Sequence, residues 1–153
     1  MRDRRFVAEH RGGPLSRERH GLLIGWACAC AEHVVGLCGN AIDERLTRAL
    51  RTSERWRKGE ASVGEAREAS AAAHAAARES SNPISIAVAR SIGHAVATAH
   101  MADHSLGAAW YALKAVEAAG ASVEAERTWQ NGQLPSEIRD LVLSARKARL
   151  REE

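Results

Sequence analysis

The sequence has little proline and cysteine, and few aromatic residues apart from tryptophan. Its 153 residues include 3 Pro, 3 Cys, 1 Tyr and 1 Phe. No segment alternates β-branched and polar residues with the period of two that is typical of a half-buried strand. These absences exclude an extensive sheet and predict an all-α protein.

Long apolar runs are also missing. No continuous run reaches the roughly 18 to 20 apolar residues that a membrane span needs, and the basic N-terminus lacks the apolar segment and cleavage site of a signal peptide. We therefore expect a soluble, cytoplasmic protein with no membrane partner. The cysteines at positions 28, 30 and 38 form an odd set and are expected to be small, buried and reduced.

Positive charge is in only slight excess, since the net charge is +3. Basic residues cluster near both ends, but acidic residues interrupt the clusters, and such clusters more often form a solvated surface than a phosphate-binding site. This pattern disfavours nucleic acid as a partner. We expect residues 1–14, which end in Gly12-Gly13-Pro14, to form a flexible basic arm, and residues 15–153 to form one helical domain.

Apolar residues recur at steps of three and four, and this spacing predicts a single-domain, irregular, Ala-rich bundle of six or seven helices without a sheet. Ser16 and Asp43 are suited to cap the first two helices, at about 16–38 and 44–58. Ser62-x-x-Glu65 has the form of a capping box and opens a third helix to about residue 79. The remaining helices are expected at about 84–101, 103–118, 122–131 and from 135 onward. Asp103 and Ser122 are suited to cap the helices at 103–118 and 122–131, and the pattern allows either a bend near residue 101 or a continuous helix there.

Alanine is abundant in the middle of the chain, where it makes up 20 of the 54 residues from 66 to 119. Alanine favours helix but buries little apolar area, so stability must come from the close approach of helices. The same faces could pack within one chain or across a homo-oligomer, and their pattern allows both.

Two histidines suggest a metal half-site. His100 and His104 are one helical turn apart, with Asp103 beside them, and on a continuous helix they would share a face. His94 is rotated by about 120° from His100, so a third ligand must come from another helix, for example His74. With only two well-placed ligands, the pattern favours histidines that pack at a helix interface over a metal site.

Motifs of catalysis are absent. The position after the first histidine, where the metalloprotease HExxH motif has its glutamate base, holds Met101. No GxSxG word, phosphate-binding loop or dinucleotide fingerprint occurs. The sequence therefore predicts a protein that is not an enzyme and needs no cofactor.

Tryptophan is the one common aromatic residue, with 4 copies. Most are expected to be packing wedges in a core that is poor in large aliphatic residues. Trp56, between Arg55 and Arg57 on a sparsely apolar helix, is the best candidate for an exposed partner-binding anchor. An acidic patch follows it, formed by Glu60, Glu65 and Glu68.

Eight short words of the sequence occur in an order that resembles a known family. They are WACACAEHV at 26–34, DER at 43–45, WRKGE at 56–60, AAHAAAR at 72–78, GHAVATAHMADH at 93–104, GAAWYALKA at 107–115, WQ at 129–130 and LP at 134–135. The words run from residue 26 to residue 135, and the resemblance as a whole covers roughly residues 20 to 142. The chain thereby resembles the bacterial putative immunity proteins of the immunity-protein-five-like family.

The resemblance implies an all-helical intracellular protein that binds and neutralises a toxin used in competition between bacteria, with no catalysis. An immunity protein that fills a nuclease's basic cleft is expected to be acidic, whereas this chain carries +3. Three alternatives follow: the toxin is not a nuclease, the acidic patch makes the contact, or binding occurs away from that cleft. The alternative function is a metal-binding helical protein, for example a hydrolase, that uses His100, His104 and Asp103.

Overall fold

The fold is an irregular bundle of α-helices. The computed structural model describes residues 2–39 and 42–152. The first residue of the predicted arm and the last residue of the predicted domain therefore lie outside the described residues. Within the described residues the helices are α1 (Arg17–Val35), α2 (Glu44–Arg57), α3 (Val63–Glu79), α4 (Pro83–Ala97), α5 (His104–Ala118), α6 (Val123–Gly132) and α7 (Ser136–Glu152). These residues contain no strand, and the predicted all-α domain of six or seven helices is confirmed.

Small residues build the main core. α4 packs between α3 and α5, and α1 crosses both α4 and α5. Short hydroxyl side chains join these helices, since Ser70 donates to the Gly93 carbonyl at 2.9 Å and Ser91 donates to the Ala108 carbonyl at 2.8 Å. Small side chains permit this close approach, as the alanine content predicts.

A second apolar cluster joins the N-terminal segment to α1 and α7. It includes Phe6, Leu15, Trp26, Ile138 and Val142, all buried. The segment predicted as a flexible arm therefore supplies part of the core. The Glu9 N–H donates to the Leu15 carbonyl at 2.8 Å, and Arg5 donates to Ser144 of α7 at 3.1 Å.

Most helix starts follow the predicted capping residues. Backbone N–H groups of the first turns donate hydrogen bonds to four capping side chains, those of Ser16, Asp43, Ser62 and Ser122. The capping box is only half formed, because the Glu65 carboxylate does not return to the Ser62 backbone. It pairs instead with Arg55 of α2, 3.1 Å away, and so links two helices.

The sequence allowed either a bend or a continuous helix near residue 101, and the chain does break there: α4 ends at Ala97 and α5 begins at His104. Asp103 occupies the N-cap position of α5, but its side chain makes no capping hydrogen bond, so the predicted cap is wrong in this respect. Its backbone is in the αR region rather than extended, and its carboxylate lies 4.0 Å from Arg2.

One helical segment, Arg17–Cys38, is long and apolar enough to cross a membrane by length and composition, with a mean hydropathy of 1.6. The segment contains Arg17, Glu18, Arg19 and Glu32, so it is not the continuous apolar run whose absence the sequence analysis noted. The core helix of a bundle passes the same test. Here the segment has Leu23, Ile24 and Ala27 fully buried and packs against α2, α4 and α5.

The three cysteines are free, and Cys30 is fully buried. Burial raises the pKa of the Cys28 thiol to about 12 and also raises the pKa of Cys30. Both thiols are therefore protonated and unreactive at neutral pH.

Candidate functional site

Trp56, the predicted exposed anchor, is buried with 3% of its surface accessible. The guanidinium of Arg17 lies 4.3 Å from its ring centroid, and the His20 ring lies 4.8 Å away. The expectation of exposure is wrong because Trp56 continues the inward stripe of α2, at steps of three and four residues. The other members of this stripe are Leu46, Ala49 and Ser53.

The remaining residues of the predicted contact surface are exposed, namely Arg55, Arg57, Glu60, Glu65 and Glu68. Their charges are partly paired with one another. Arg55 pairs with Glu65 and also donates to the Glu60 carbonyl at 2.8 Å. A partner-binding role for this mixed-charge surface stays a prediction.

The predicted metal ligands are only partly brought together. His100 precedes α5 and His104 begins it, with their ring centroids 5.4 Å apart, so they do not share a face of one continuous helix. No group of three or more His, Cys, Asp or Glu side chains that could hold a metal occurs in the part of the chain that the structure describes. The structure thus offers no metal centre there.

Four histidines instead form a row of adjacent rings, which we call the histidine row: His74, His94, His104 and His100. The ring centroids of His74 and His94 are 5.2 Å apart. His94 Nδ1 lies 3.0 Å from His104 Nδ1. His94 was expected to lie out of reach of this pair, but the break after α4 turns α5 back along α4 and brings the rings into contact.

The histidine row is neutral at pH 7. Burial lowers the pKa values of His74, His94 and His100 to about 4 and also lowers the pKa of His104. The Arg90 guanidinium donates to His74 Nδ1 at 2.8 Å, which places the His74 proton on Nε2. Of the two facing Nδ1 atoms of His94 and His104, one must donate and the other accept.

Two glycines make room for the row. A Cβ atom on Gly93 would lie 2.7 Å from the His74 ring, and a Cβ atom on Gly107 would lie 2.9 Å from His94 Nδ1. Both distances are shorter than real Cβ contacts. The glycines within the words GHAVATAH and GAAWYALKA therefore have a packing role beside imidazoles.

A cleft of about 990 Å³ opens between α5, α6 and α7. We call it the Trp110 cleft, after the indole that is 41% exposed on its wall. Sequence reasoning treated Trp110 as a packing wedge and missed this site. The helical period could have revealed the exposure of Trp110, though not the cleft, because Trp110, Lys114 and Glu117 follow one another on the outward face of α5.

The wall of the Trp110 cleft is basic. Its charged lining consists of Arg127, Arg146, Lys147, Arg149 and a single acidic residue, Asp140. Arg127 pairs with Glu124. Lys147 and Arg149 form no ion pair with any side chain that the structure describes.

A buried amide fixes the walls of the cleft relative to one another. Gln130 of α6 is fully buried, and its Nε2 donates to the Ala109 carbonyl of α5 at 3.0 Å. Arg146 of α7 donates to Gln130 Oε1 at 2.6 Å and to Asn131 Oδ1 at 2.7 Å. The Trp26 indole N–H donates to the Gln130 carbonyl at 2.9 Å, so α1 joins the same network.

Comparison with known proteins finds one family. A family model described as Imm-5 like putative immunity protein matches residues 13–137. No curated protein and no solved structure matches the chain. The matched region contains the histidine row and Trp110, whereas the basic residues that α7 contributes to the cleft lie beyond it.

Proposed function

Because the chain belongs to the Imm-5 like putative immunity protein family, we propose that it binds a bacterial toxin in the cytoplasm and neutralises it by protein–protein contact, without catalysis. The match over residues 13–137 is the observation that carries this proposal. An immunity protein must recognise one protein surface tightly enough to block it. The proposal therefore requires a surface on this chain that suits a protein partner.

Two surfaces meet that requirement. The Trp110 cleft combines an exposed indole with arginine side chains, and tryptophan and arginine are enriched among residues that dominate binding energy. The exposed surface at the junction of α2 and α3 offers Glu60 and Glu68 to a basic partner. The net charge of +3 favours an acidic partner surface, since complementary potentials speed encounter and disfavour wrong partners.

Co-expression tests the proposal. The product of the reading frame adjacent to this gene is expressed alone and together with the full chain, and an unrelated helical protein at the same level serves as control. We expect the neighbour to stop growth alone, the chain to restore growth, and the purified pair to associate with a Kd of about 1 μM or tighter. A harmless neighbour, or a pair that does not associate, contradicts the proposal.

The absence of catalysis is tested on the same pair. The intact mass of the toxin is measured before and after incubation with a small molar fraction of the chain. We expect an unchanged mass and inhibition that requires one chain for each toxin. Cleavage or modification of the toxin by a small fraction of the chain contradicts neutralisation by binding.

A further inference from the structure

We propose that the Trp110 cleft binds an acidic protein segment that carries an apolar side chain. This inference deepens the proposed function and rests on it, because the segment is assigned to the toxin. The cleft, rather than the junction of α2 and α3, is then the surface that recognises the partner.

The first argument concerns the exposed apolar surface. Trp110 is 41% exposed and Leu150 is 59% exposed, and both line the cleft. The indole is held in place, since the Tyr111 ring lies edge-on at 4.9 Å and Lys114 Nζ lies 4.8 Å from the ring centroid. A preoriented indole loses little side-chain entropy on binding, which favours a role as the receptor of an apolar side chain.

The second argument concerns charge. Four basic residues and one acidic residue line the cleft. Arg146 is fixed by Gln130 and Asn131, so it presents an oriented positive charge at the wall. Lys147 and Arg149 are exposed on α7 next to it. Aspartate or glutamate side chains of a partner complement this potential.

The aromatic content of the cleft favours a protein over a nucleic acid. Surfaces that bind single strands stack successive bases on several exposed aromatic rings. Here Trp110 is the exposed ring, while Tyr111 is partly buried and its ring stacks against His94 at 5.2 Å.

Peptides test the binding chemistry directly. Two short synthetic peptides share leucines at the same positions, and one carries Asp and Glu where the other carries Lys. Each is titrated calorimetrically into the full chain, with a mixed-sequence single-stranded oligonucleotide as the third ligand. We expect the acidic peptide to bind at least about tenfold more tightly than either other ligand. Equal or tighter binding of the basic peptide or the oligonucleotide overturns the proposal.

Variants locate the site. Trp110→Ala and the pair Lys147→Glu with Arg149→Glu should each weaken the acidic peptide by at least about tenfold. Arg48→Glu with Arg51→Glu, an equal charge reversal on the exposed face of α2, is the matched control and should leave binding within about twofold. Circular dichroism and the unfolding midpoint establish that each variant is folded. Cleft variants that bind the acidic peptide as tightly as the wild type, or an α2 control that weakens binding as much as the cleft variants do, contradict the assignment.

The toxin itself separates the two proposals. If it binds the chain but keeps its affinity for the cleft variants, the cleft assignment is wrong and the proposed function stands. If the double variant Glu60→Lys and Glu68→Lys loses toxin binding while the cleft variants keep it, the contact lies at the junction of α2 and α3. If no toxin associates and the acidic peptide still binds the cleft, the proposed function fails while the chemistry of the cleft is retained.

Discussion

At the scale of single residues, the two glycines beside the histidine row supply space rather than backbone freedom. Gly93 and Gly107 lie inside α4 and α5, where glycine costs roughly 0.5–1 kcal/mol relative to alanine. Each lies against the imidazole of a neighbouring helix. Their small size therefore stabilises the packing of the histidine row at the expense of helix propensity.

Gly93→Ala should destabilise the protein, although alanine is the better helix former. The added Cβ would lie 2.7 Å from the His74 ring, which Arg90 holds on its other side. We expect a loss of about 1–3 kcal/mol in the free energy of unfolding, measured by urea denaturation. Gly21→Ala in α1 is the control, because its Cβ meets nothing within 4 Å; it should be neutral or stabilising by up to about 1 kcal/mol. Equal stability of Gly93→Ala and the wild type would contradict the packing role.

Two tryptophans show how far the solvent exposure of a residue could be predicted from the sequence. The burial of Trp56 and the exposure of Trp110 are the reverse of what composition suggests, yet both follow from their helical stripes. Trp56 lies in register with Leu46 and Ala49, whereas Trp110 lies in register with Lys114. Reading only the charged neighbours Arg55 and Arg57 obscured this register. The contact between His94 and His104 was beyond such reasoning, since it depends on how α5 turns back on α4.

At the scale of elements, helix starts were predictable because capping is local. Ser16, Asp43 and Ser122 act on N–H groups two or three residues ahead. The Trp110 cleft was not predictable in this way, because its walls come from three helices. Its shape depends on the tertiary contacts of Gln130, whose amide links α5, α6 and α7.

Gln130→Leu tests that link. The substitution removes the acceptor of the Arg146 guanidinium and the donor to the Ala109 carbonyl, and it leaves a charged group without its buried partner. We expect a loss of about 1–3 kcal/mol in the free energy of unfolding. We also expect weaker binding at the cleft, because Arg146 is no longer held at its wall. The control is Gln133→Leu, at an exposed position of the same segment; if both variants are equally stable, Gln130 does not organise these helices.

The histidine row predicts how stability depends on pH. The folded pKa values of His74, His94 and His100 are lowered from 6.5 to about 4, with burial the main cause. Above pH 6.5 both folded and unfolded chains are neutral at these sites. Between pH 6.5 and 4 the unfolded chain binds more protons, so stability falls as the pH falls.

We therefore expect the melting temperature to decrease by more than roughly 2–4 °C from pH 7 to pH 4.5, equivalent to more than about 1 kcal/mol. His94→Gln should reduce this slope, because a neutral amide replaces the titrating ring. His10→Gln, at an exposed position in the N-terminal segment, should leave the slope unchanged. A melting temperature that is constant over this range would show that these imidazoles are not buried in their neutral form.

At the scale of the whole molecule, the chain pairs an apolar, small-residue core with a basic cleft at one side. The core holds together the seven α-helices of the described residues, and the order of words along the sequence was sufficient to identify the family. Neither property specifies the partner, because α7 supplies its cleft residues from beyond residue 137, where the family match ends. On the proposals made above, the core carries the fold and the Trp110 cleft makes the contact with the partner.

Growth rescue across matched variants is the most direct test of this account. Cells that express the candidate toxin are supplied with the wild-type chain, with Trp110→Ala, or with the α2 control Arg48→Glu and Arg51→Glu. We predict that the wild type and the α2 control restore growth, whereas Trp110→Ala fails although it is folded and equally abundant. Failure of the wild type to restore growth, or full rescue by Trp110→Ala, would contradict the account.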